Sequence, residues 1–316
     1  MKGTVASQVV TDESGEVAAA AESEQQPKLQ LTTRIPRRSF TSTDSELPSV
    51  CGLCALSDDD VLLAYSSQFT PPRMRAVSLR SQQLPSPREV SALENVYRVA
   101  YDALTDTLLC VCKDINTWLV LLRRNVSAND WLEVNRLRTP FELTWSPFQV
   151  PRNELVVCES RALLAQRIGK YKRRLHVFDL SAKHGLSAVG TVAPEVKFRS
   201  FACTRLGADT LVAFADATLV SLHRLATLQL ESLSRIKLTD PGILVFRGNQ
   251  LLVADWNEAT KTHAIVPLLT AGGRLMRQPL LLDANDSVWI DEWCLAGDHL
   301  VVMKFNSNDL LLYAFE

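Results

Sequence analysis

Histidine is scarce in this chain, with five among 316 residues, at His176, His184, His223, His263 and His299. They show no ligand spacing, and a zinc site needs two ligand pairs. The signatures H-E-x-x-H, G-x-x-x-x-G-K-[ST], G-x-S-x-G and G-x-G-x-x-G are absent. That removes the zincin, P-loop, α/β-hydrolase and dinucleotide-binding readings. An excess of one charge is also missing. Lys and Arg number 34 against 35 Asp and Glu, so no overall field steers DNA or an anionic membrane toward the protein. No apolar run approaches the roughly 18 residues of a spanning helix. The start of the sequence lacks the charged-then-apolar order of an export signal. The seven cysteines are therefore expected as reduced thiols, and the protein in the cytoplasm or nucleus. The sequons at Asn125 and Asn285 carry no weight without export. Glycine (12 residues) and aromatics (7%) are sparse, which leaves the packing to Leu and Val.

What is present is a repeat. A short apolar strand, an acidic or polar turn and a second apolar strand recur six times, at intervals of roughly 40 to 56 residues. The second strands read Val61–Ala64, Thr107–Cys110, Leu155–Cys158, Thr210–Ala213, Leu251–Ala254 and Leu300–Met303. Four- to eight-residue runs rich in β-branched residues and Leu, set between turn clusters, are strands. Several strands per unit at this period are the mark of a β-propeller blade.

Residues 1–27 stand apart. Ala, Ser, Glu, Gln and Thr dominate, with acids at Asp12, Glu13, Glu16, Glu22 and Glu24. Such a segment buries too little apolar surface to offset its ordering entropy and is expected to be a disordered tail. The propeller is expected over 28–316. Unit three is read with strands at Glu142–Trp145, Glu154–Glu159, Leu175–Leu180 and Ser187–Val192. The fourth strand of unit one, near Gln82–Val90, holds Pro85 and Pro87 and is expected to be short or bent. Unit six ends after three strands. The run Leu29–Pro36 resembles the fourth strands Leu132–Leu137 and Leu233–Leu238, so it is expected to complete the last blade and remove the open edge.

Some residues carry chemistry. Cys51 and Cys54 form a C-x-x-C, and Cys110 and Cys112, two apart on a strand, point the same way. Most of these thiols are expected in the core. Unit three carries a concentration of cations over 161–174: Arg161, Arg167, Lys170, Lys172, Arg173 and Arg174, with Tyr171 among them and no acid between Glu159 and Asp179. This is read as a long, exposed loop between the second and third strands. It fits an anionic partner surface, a phosphoinositide headgroup or RNA. Arg167, Lys170, Tyr171, Lys172, Arg173 and Arg174 are the partner-binding candidates. Arg34–Ser39 is a smaller basic patch with a phosphorylatable serine. The nearly uncharged stretches Val212–Val220 and Leu222–Leu230 are either an interaction edge or a well-buried blade.

The units resemble WD40 repeats. The likeness lies in Leu56–Ala64, Tyr101–Leu109, Thr144-Trp145-Ser146-Pro147 and Leu175-His176-Val177-Phe178-Asp179-Leu180. The last is similar to the strand that ends in Trp-Asp in that family, with Phe178 in place of Trp. The Gly-His opening is missing, no unit has Trp-Asp, and six units stand where the family usually has seven. The resemblance covers 28–316 and implies a rigid disc that binds protein partners on its loops, without catalysis, cofactor or metal. A second reading is a calcium-dependent lactonase or esterase on a six-bladed propeller. Its metal would be held at the mouths of the inner strands, where this chain offers Asn95, Glu142, Asp255, Asn257, Asp291 and Glu292. A third is a nucleic-acid adaptor acting through the basic loop. Acids paired to Arg98 and Arg199, or pointing apart, would count against the metal reading.

Overall fold

The computed structural model describes residues 29–36, 49–66, 73–80, 88–90, 93–125, 130–139, 141, 155–168, 172–181, 185–271, 273–278, 290–304 and 309–315. The tail expected over 1–27 lies outside them. Among the described residues there is no helix, and the strands form six four-stranded antiparallel sheets. β1 (Leu29–Ile35) is first in the chain. Blade 1 holds β2 (Ser49–Ala55), β3 (Asp60–Ser66), β4 (Arg73–Ser78) and β5 (Arg88–Glu89). Blade 2 holds β6 (Val96–Asp102), β7 (Thr107–Lys113), β8 (Thr117–Asn125) and β9 (Asp130–Arg138). Blade 3 holds β10 (Leu155–Cys158), β11 (Arg161–Arg167), β12 (Arg173–Ser181) and β13 (Gly185–Val192). Blade 4 holds β14 (Ser200–Leu206), β15 (Asp209–Ala215), β16 (Leu219–Ala226) and β17 (Gln229–Lys237). Blade 5 holds β18 (Pro241–Arg247), β19 (Gln250–Asn257), β20 (Thr262–Ala271) and β21 (Arg274–Arg277). Blade 6 holds β22 (Ile290–Ala296), β23 (His299–Lys304) and β24 (Leu310–Phe315), and β1 pairs with β24 as its fourth strand. Each first strand packs beside the first strand of the next blade, and β22 returns to β2, which closes the ring.

The second strands are buried on both faces, which is why they read as unbroken apolar runs rather than alternating ones. In β3, Val61 and Leu63 enter the core shared with blade 6, while Leu62 and Ala64 enter the core shared with blade 2. In β7, Leu108, Cys110 and Cys112 face blade 1, while Leu109 and Val111 face blade 3. Six such clusters fill the gaps between neighbouring blades.

The closing strand shows how finely this alternation is used. Leu29 and Ile35 have the same parity, so an unbroken strand would send both to one face. Instead Leu29 packs between blades 5 and 6, and Ile35 between blades 6 and 1. A bulge between Leu31 and Thr33 inverts the alternation midway. The Thr32 hydroxyl donates to the Leu312 carbonyl there, at 3.1 Å. Arg34 Nε donates to Asp309 Oδ2 at 2.9 Å, which ties the strand to the blade end.

Two expectations change. In blade 3, Leu155–Cys158 is the first strand, β10, and not the second. The second is β11, so Arg161–Arg167 is a strand and not loop, and Arg173 and Arg174 begin β12. Leu155–Cys158 and Ala162–Ala165 are equally apolar and only a two-residue turn separates them. Both turn residues, Glu159 and Ser160, have positive φ (39° and 65°). That is the tight hairpin geometry normally announced by Asn-Gly, and Glu-Ser gives no such signal. The strand expected at Glu142–Trp145, with the Thr144–Pro147 likeness, lies outside the described residues. β5, by contrast, is as short as the prolines before it implied.

Candidate functional site

Alternating strands divide the loops between two rims. The upper rim carries the turns from second to third strands and the links between blades. The lower rim carries the turns from first to second and from third to fourth strands.

The cations of unit three fall on both. Arg161 is at the lower rim, in an ion pair with Asp179 at 3.5 Å. Arg167, six residues along the strand and about 20 Å away, is at the upper rim with Lys172, Arg173 and Arg174. Lys170 and Tyr171 lie outside the described residues. Arg167 and Arg173 stand directly opposite each other in the β11–β12 ladder. Two like charges so placed cost roughly 0.2–1 kcal/mol. Arg167, Lys172 and Arg174 are exposed. Arg173 is fixed: Nη1 donates to the Arg199 carbonyl at 3.0 Å, and its guanidinium lies over the Phe198 ring at 5.3 Å. It thereby joins the hairpin to the link between blades 3 and 4, which adds Lys197 and Arg199 to this stretch of rim. Arg199 is paired with Asp240 at 2.6 Å. Lys197 and Arg199 lie some 25 residues further on, close to Glu195, and nothing in their spacing ties them to the earlier cations.

Beneath the hairpin lies His176. Its Nε2 donates to Gln166 Oε1 at 2.8 Å, and its ring stacks on Phe141 with centroids 4.1 Å apart. Burial, and secondarily the Arg174 charge, push the imidazole down to about 4, so it is neutral at physiological pH. Exposed aliphatic residues mark the same rim: Ile115 on the β7–β8 turn, Ile168 on β11–β12 and Leu219 on β15–β16. Blade 4 itself is a buried blade, since Leu211–Ala215 and Val220–Leu222 fill cores on both sides.

Three of the oxygen-bearing side chains expected at the channel mouths, Asp255, Asn257 and Glu292, are engaged in turns or an ion pair. Asp255 accepts from the Thr239 and Asp240 amides at 3.3 and 2.8 Å. Asn257 caps the Ala259 and Thr260 amides. Asn95 adopts φ 59°, and its backbone carbonyl accepts from the Lys113 amide at 3.0 Å. Glu142 lies outside the described residues. Glu292 is buried, with its carboxylate 4.0 Å from Arg98 Nη2, itself buried. They belong to blades 6 and 2, and the pair reaches past the first strand of blade 1. There the chain has Gly52, where a Cβ would press the Val99 amide nitrogen at 3.3 Å and the Arg98 Cα at 3.4 Å. Cys51, beside this pair, is pushed up to about 12, chiefly by burial. Glu292, paired with Arg98, is engaged as the case against a metal requires, whereas the acid paired with Arg199 is Asp240, which is not one of the candidate oxygens. Among the described residues no three His, Cys, Asp or Glu side chains gather as metal ligands.

The C-x-x-C and C-x-C sulfurs share the core between blades 1 and 2, all as free thiols. A shallow cavity of about 300 Å³ opens on the upper rim of blade 2, lined among others by Glu94, Asp114, Trp118 and Arg136. Its charges are spent locally. Arg136 holds Glu133 through two bonds of 2.9 and 2.7 Å, Asp114 accepts the Asn116 amide at 2.8 Å, and Glu94 pairs with Arg73 at 3.1 Å.

The fold and these blade contacts define a six-bladed β-propeller. No protein-family model and no curated protein matches the sequence. Solved structures do match in shape. A Bacteroides thetaiotaomicron protein of unknown function superposes with TM-score 0.57 at 10% identity, over 92% of this chain and 76% of that one. A periplasmic gluconolactonase from Pseudomonas aeruginosa gives 0.56 at 14%, over 84% and 80%. A chain of a mitotic checkpoint complex gives 0.51 at 9%, over 98% and 99%. At these identities the likeness is one of fold, and fold alone does not carry function.

Proposed function

We propose that this protein is a non-enzymatic interaction scaffold of the cytoplasm or nucleus, and that it holds an acidic protein partner on the upper rim of blade 3. The observation that carries the reading is the cross-strand pair Arg167/Arg173, with Lys172 and Arg174 beside it. A like-charge pair opposes folding, and an anionic partner would relieve that cost. Exposed Ile168 at the hairpin tip, flanked by Ile115 and Leu219 on the neighbouring turns, supplies the apolar contact that purely charged rims lack. The commitment of Asp255 and Asn257 to turns and of Glu292 to Arg98 favours binding over hydrolysis. The presence of one similar chain in a mitotic checkpoint complex is in keeping with a role in assemblies.

The test is a charge-removal variant that spares the packing of Arg173: Arg167→Ser, Lys172→Ser and Arg174→Ser together. Its melting temperature should equal or slightly exceed that of the wild type, because repulsion is relieved. Partners captured by the wild type and cross-linked to this hairpin should be lost from the variant. Their capture should fall steeply with salt and survive nuclease. Retention of every such partner at physiological salt would sink the reading. Loss on nuclease treatment would replace the protein partner with RNA.

A further inference from the structure

The two faces of blade 3 sort the cations of its upper hairpin. Leu163 and Ala165 on β11, with Leu175 and Val177 on β12, enter the core shared with blade 4, whereas Ala162, Leu164 and Phe178 enter the core shared with blade 2. Side chains alternate along a strand. Arg167, two residues past Ala165, and Arg173, two residues before Leu175, therefore face blade 4. Arg174 and its cross-strand partner Gln166 face blade 2, where Gln166 bonds His176 at 2.8 Å. Cations that are neighbours in sequence are thus divided between two grooves.

The groove toward blade 4 receives two guanidinium groups. Facing residues of an antiparallel ladder lie about 5 Å apart at Cα, so the ladder itself holds Arg167 and Arg173 together. Arg173 is anchored, with Nη1 donating to the Arg199 carbonyl at 3.0 Å and its guanidinium over the Phe198 ring at 5.3 Å. A guanidinium carries five N–H donors, of which that bond takes one. Phe198 is buried between the two blades, and Lys197 before it is exposed. Acids interrupt the rim on both sides: Asp114 on the β7–β8 turn of blade 2 and Asp216 on the β15–β16 turn of blade 4. Glu195 shares the link with Lys197, and Asp240 takes Arg199. The positive field is confined to one short stretch.

We propose that Arg167 and Arg173 form a subsite for a single phosphoryl group, carried by a phosphoserine or phosphothreonine of the partner, a subsite that presupposes the docking surface proposed above. A carboxylate brings one charge and matches one guanidinium. A phosphomonoester brings about −1.5 to −2 charges at pH 7 and three acceptor oxygens. It can accept from both arginines at once and cancel the repulsion between them. Because the ladder fixes both Cα positions, the protein cannot relieve that repulsion by moving the strands apart, and a dianion at this point relieves it most. The flanking acids disfavour a polyanion. A nucleic acid draws its affinity from neutralising many successive phosphates, and this rim offers no continuous basic track. Exposed Ile168 at the hairpin tip suits a polypeptide that carries the phosphoryl group.

The experiment uses the folded full chain and an array of peptides, each sequence made with phosphothreonine, glutamate or threonine at its centre. The tightest binders are then titrated by fluorescence anisotropy at physiological salt. The phosphothreonine form should bind at least about tenfold more tightly than the glutamate form of the same sequence, and inorganic phosphate should compete with it. Arg167→Gln should weaken that binding at least about tenfold while melting no lower than the wild type, since repulsion is relieved. Arg174→Gln, on the opposite face, should leave it within about twofold. The comparison of peptide forms needs no variant, so a misfolded variant cannot mask the answer. Equal binding of the phosphothreonine and glutamate forms, or no binding of any phosphothreonine peptide, would overturn the subsite. The docking surface would survive that result, because the three-residue charge variant judges it separately. Equal losses in Arg167→Gln and Arg174→Gln would overturn the assignment to the groove between blades 3 and 4. Tighter binding of single-stranded RNA, or of phosphatidylcholine vesicles carrying phosphatidylinositol phosphate, would overturn the phosphorylated protein as its occupant.

Discussion

The closing strand offers the sharpest test of the architecture. Leu29 and Ile35 are nearly fully buried, at 7% and 5% exposure, in two separate cores. Truncating a buried Leu or Ile to Ala costs about 2–5 kcal/mol. β1 is an outermost strand whose surroundings can partly collapse, so the lower part of that range applies, about 2–3 kcal/mol for each. The two positions are six residues apart, about 20 Å in a strand, and share no core. Their effects should therefore add, to about 4–6 kcal/mol in the double variant. A domain is typically stable by about 5–15 kcal/mol, so Leu29→Ala/Ile35→Ala should be marginal at 37 °C. For a chain of this size each single change should lower the melting temperature by roughly 3–5 °C. Thermal and urea unfolding, read by circular dichroism and by tryptophan fluorescence, would measure all three. Removal of residues 1–27 should shift stability by less than about 0.5 kcal/mol. Removal of residues 1–36 should expose β24 as an open edge and cause melting or aggregation. Equal stability of the two truncations would refute the closure. Strong coupling between the two alanine changes would refute the bulge that sends their side chains to different cores.

Breaking the Arg98–Glu292 pair from either side, as Arg98→Met or Glu292→Leu, should cost about 3–5 kcal/mol by stranding a buried charge. The double change should recover much of it, as read in a double-mutant cycle from urea unfolding. Gly52→Ala should destabilise by roughly 1–3 kcal/mol, because its Cβ meets backbone of the next blade that has no room to retreat. A neutral result in chemical denaturation would mean that blades 1 and 2 sit further apart. His176 titrates at about 4 in the folded chain against 6.5 when free, so the unfolded chain binds the extra proton between those values. Its contribution to stability is complete above pH 6.5 and is lost as pH falls toward 4, on the order of 1–3 kcal/mol. The difference in stability between wild type and His176→Phe should change over that window and stay flat above it.

Much of the fold could be read from the chain because burial on both faces leaves a direct trace. Runs such as Val61-Leu62-Leu63-Ala64 and Leu251-Leu252-Val253-Ala254 have no polar face, and only a strand enclosed between two blades needs that composition. The place of Leu29–Ile35 was legible by its likeness to other fourth strands and by the strand missing from unit six. Blade 3 was misread for a local reason. Its first two strands are equally apolar, and the turn between them adopts positive φ without Gly or Asn. The error moved Arg161–Arg167 from strand to loop, and so merged cations that belong to opposite rims.

The sequence by itself determined the class, the number of units and the way the ring closes, because repeat period and burial pattern are one-dimensional properties of a chain whose blades contact mainly their neighbours. Only the tertiary structure decided which residues from different blades meet. Arg98 reaches Glu292 past Gly52, and Arg173 binds the Arg199 carbonyl. Such pairings follow from how neighbouring blades sit against each other, and packing fixes that arrangement without leaving a pattern in the residues that use it.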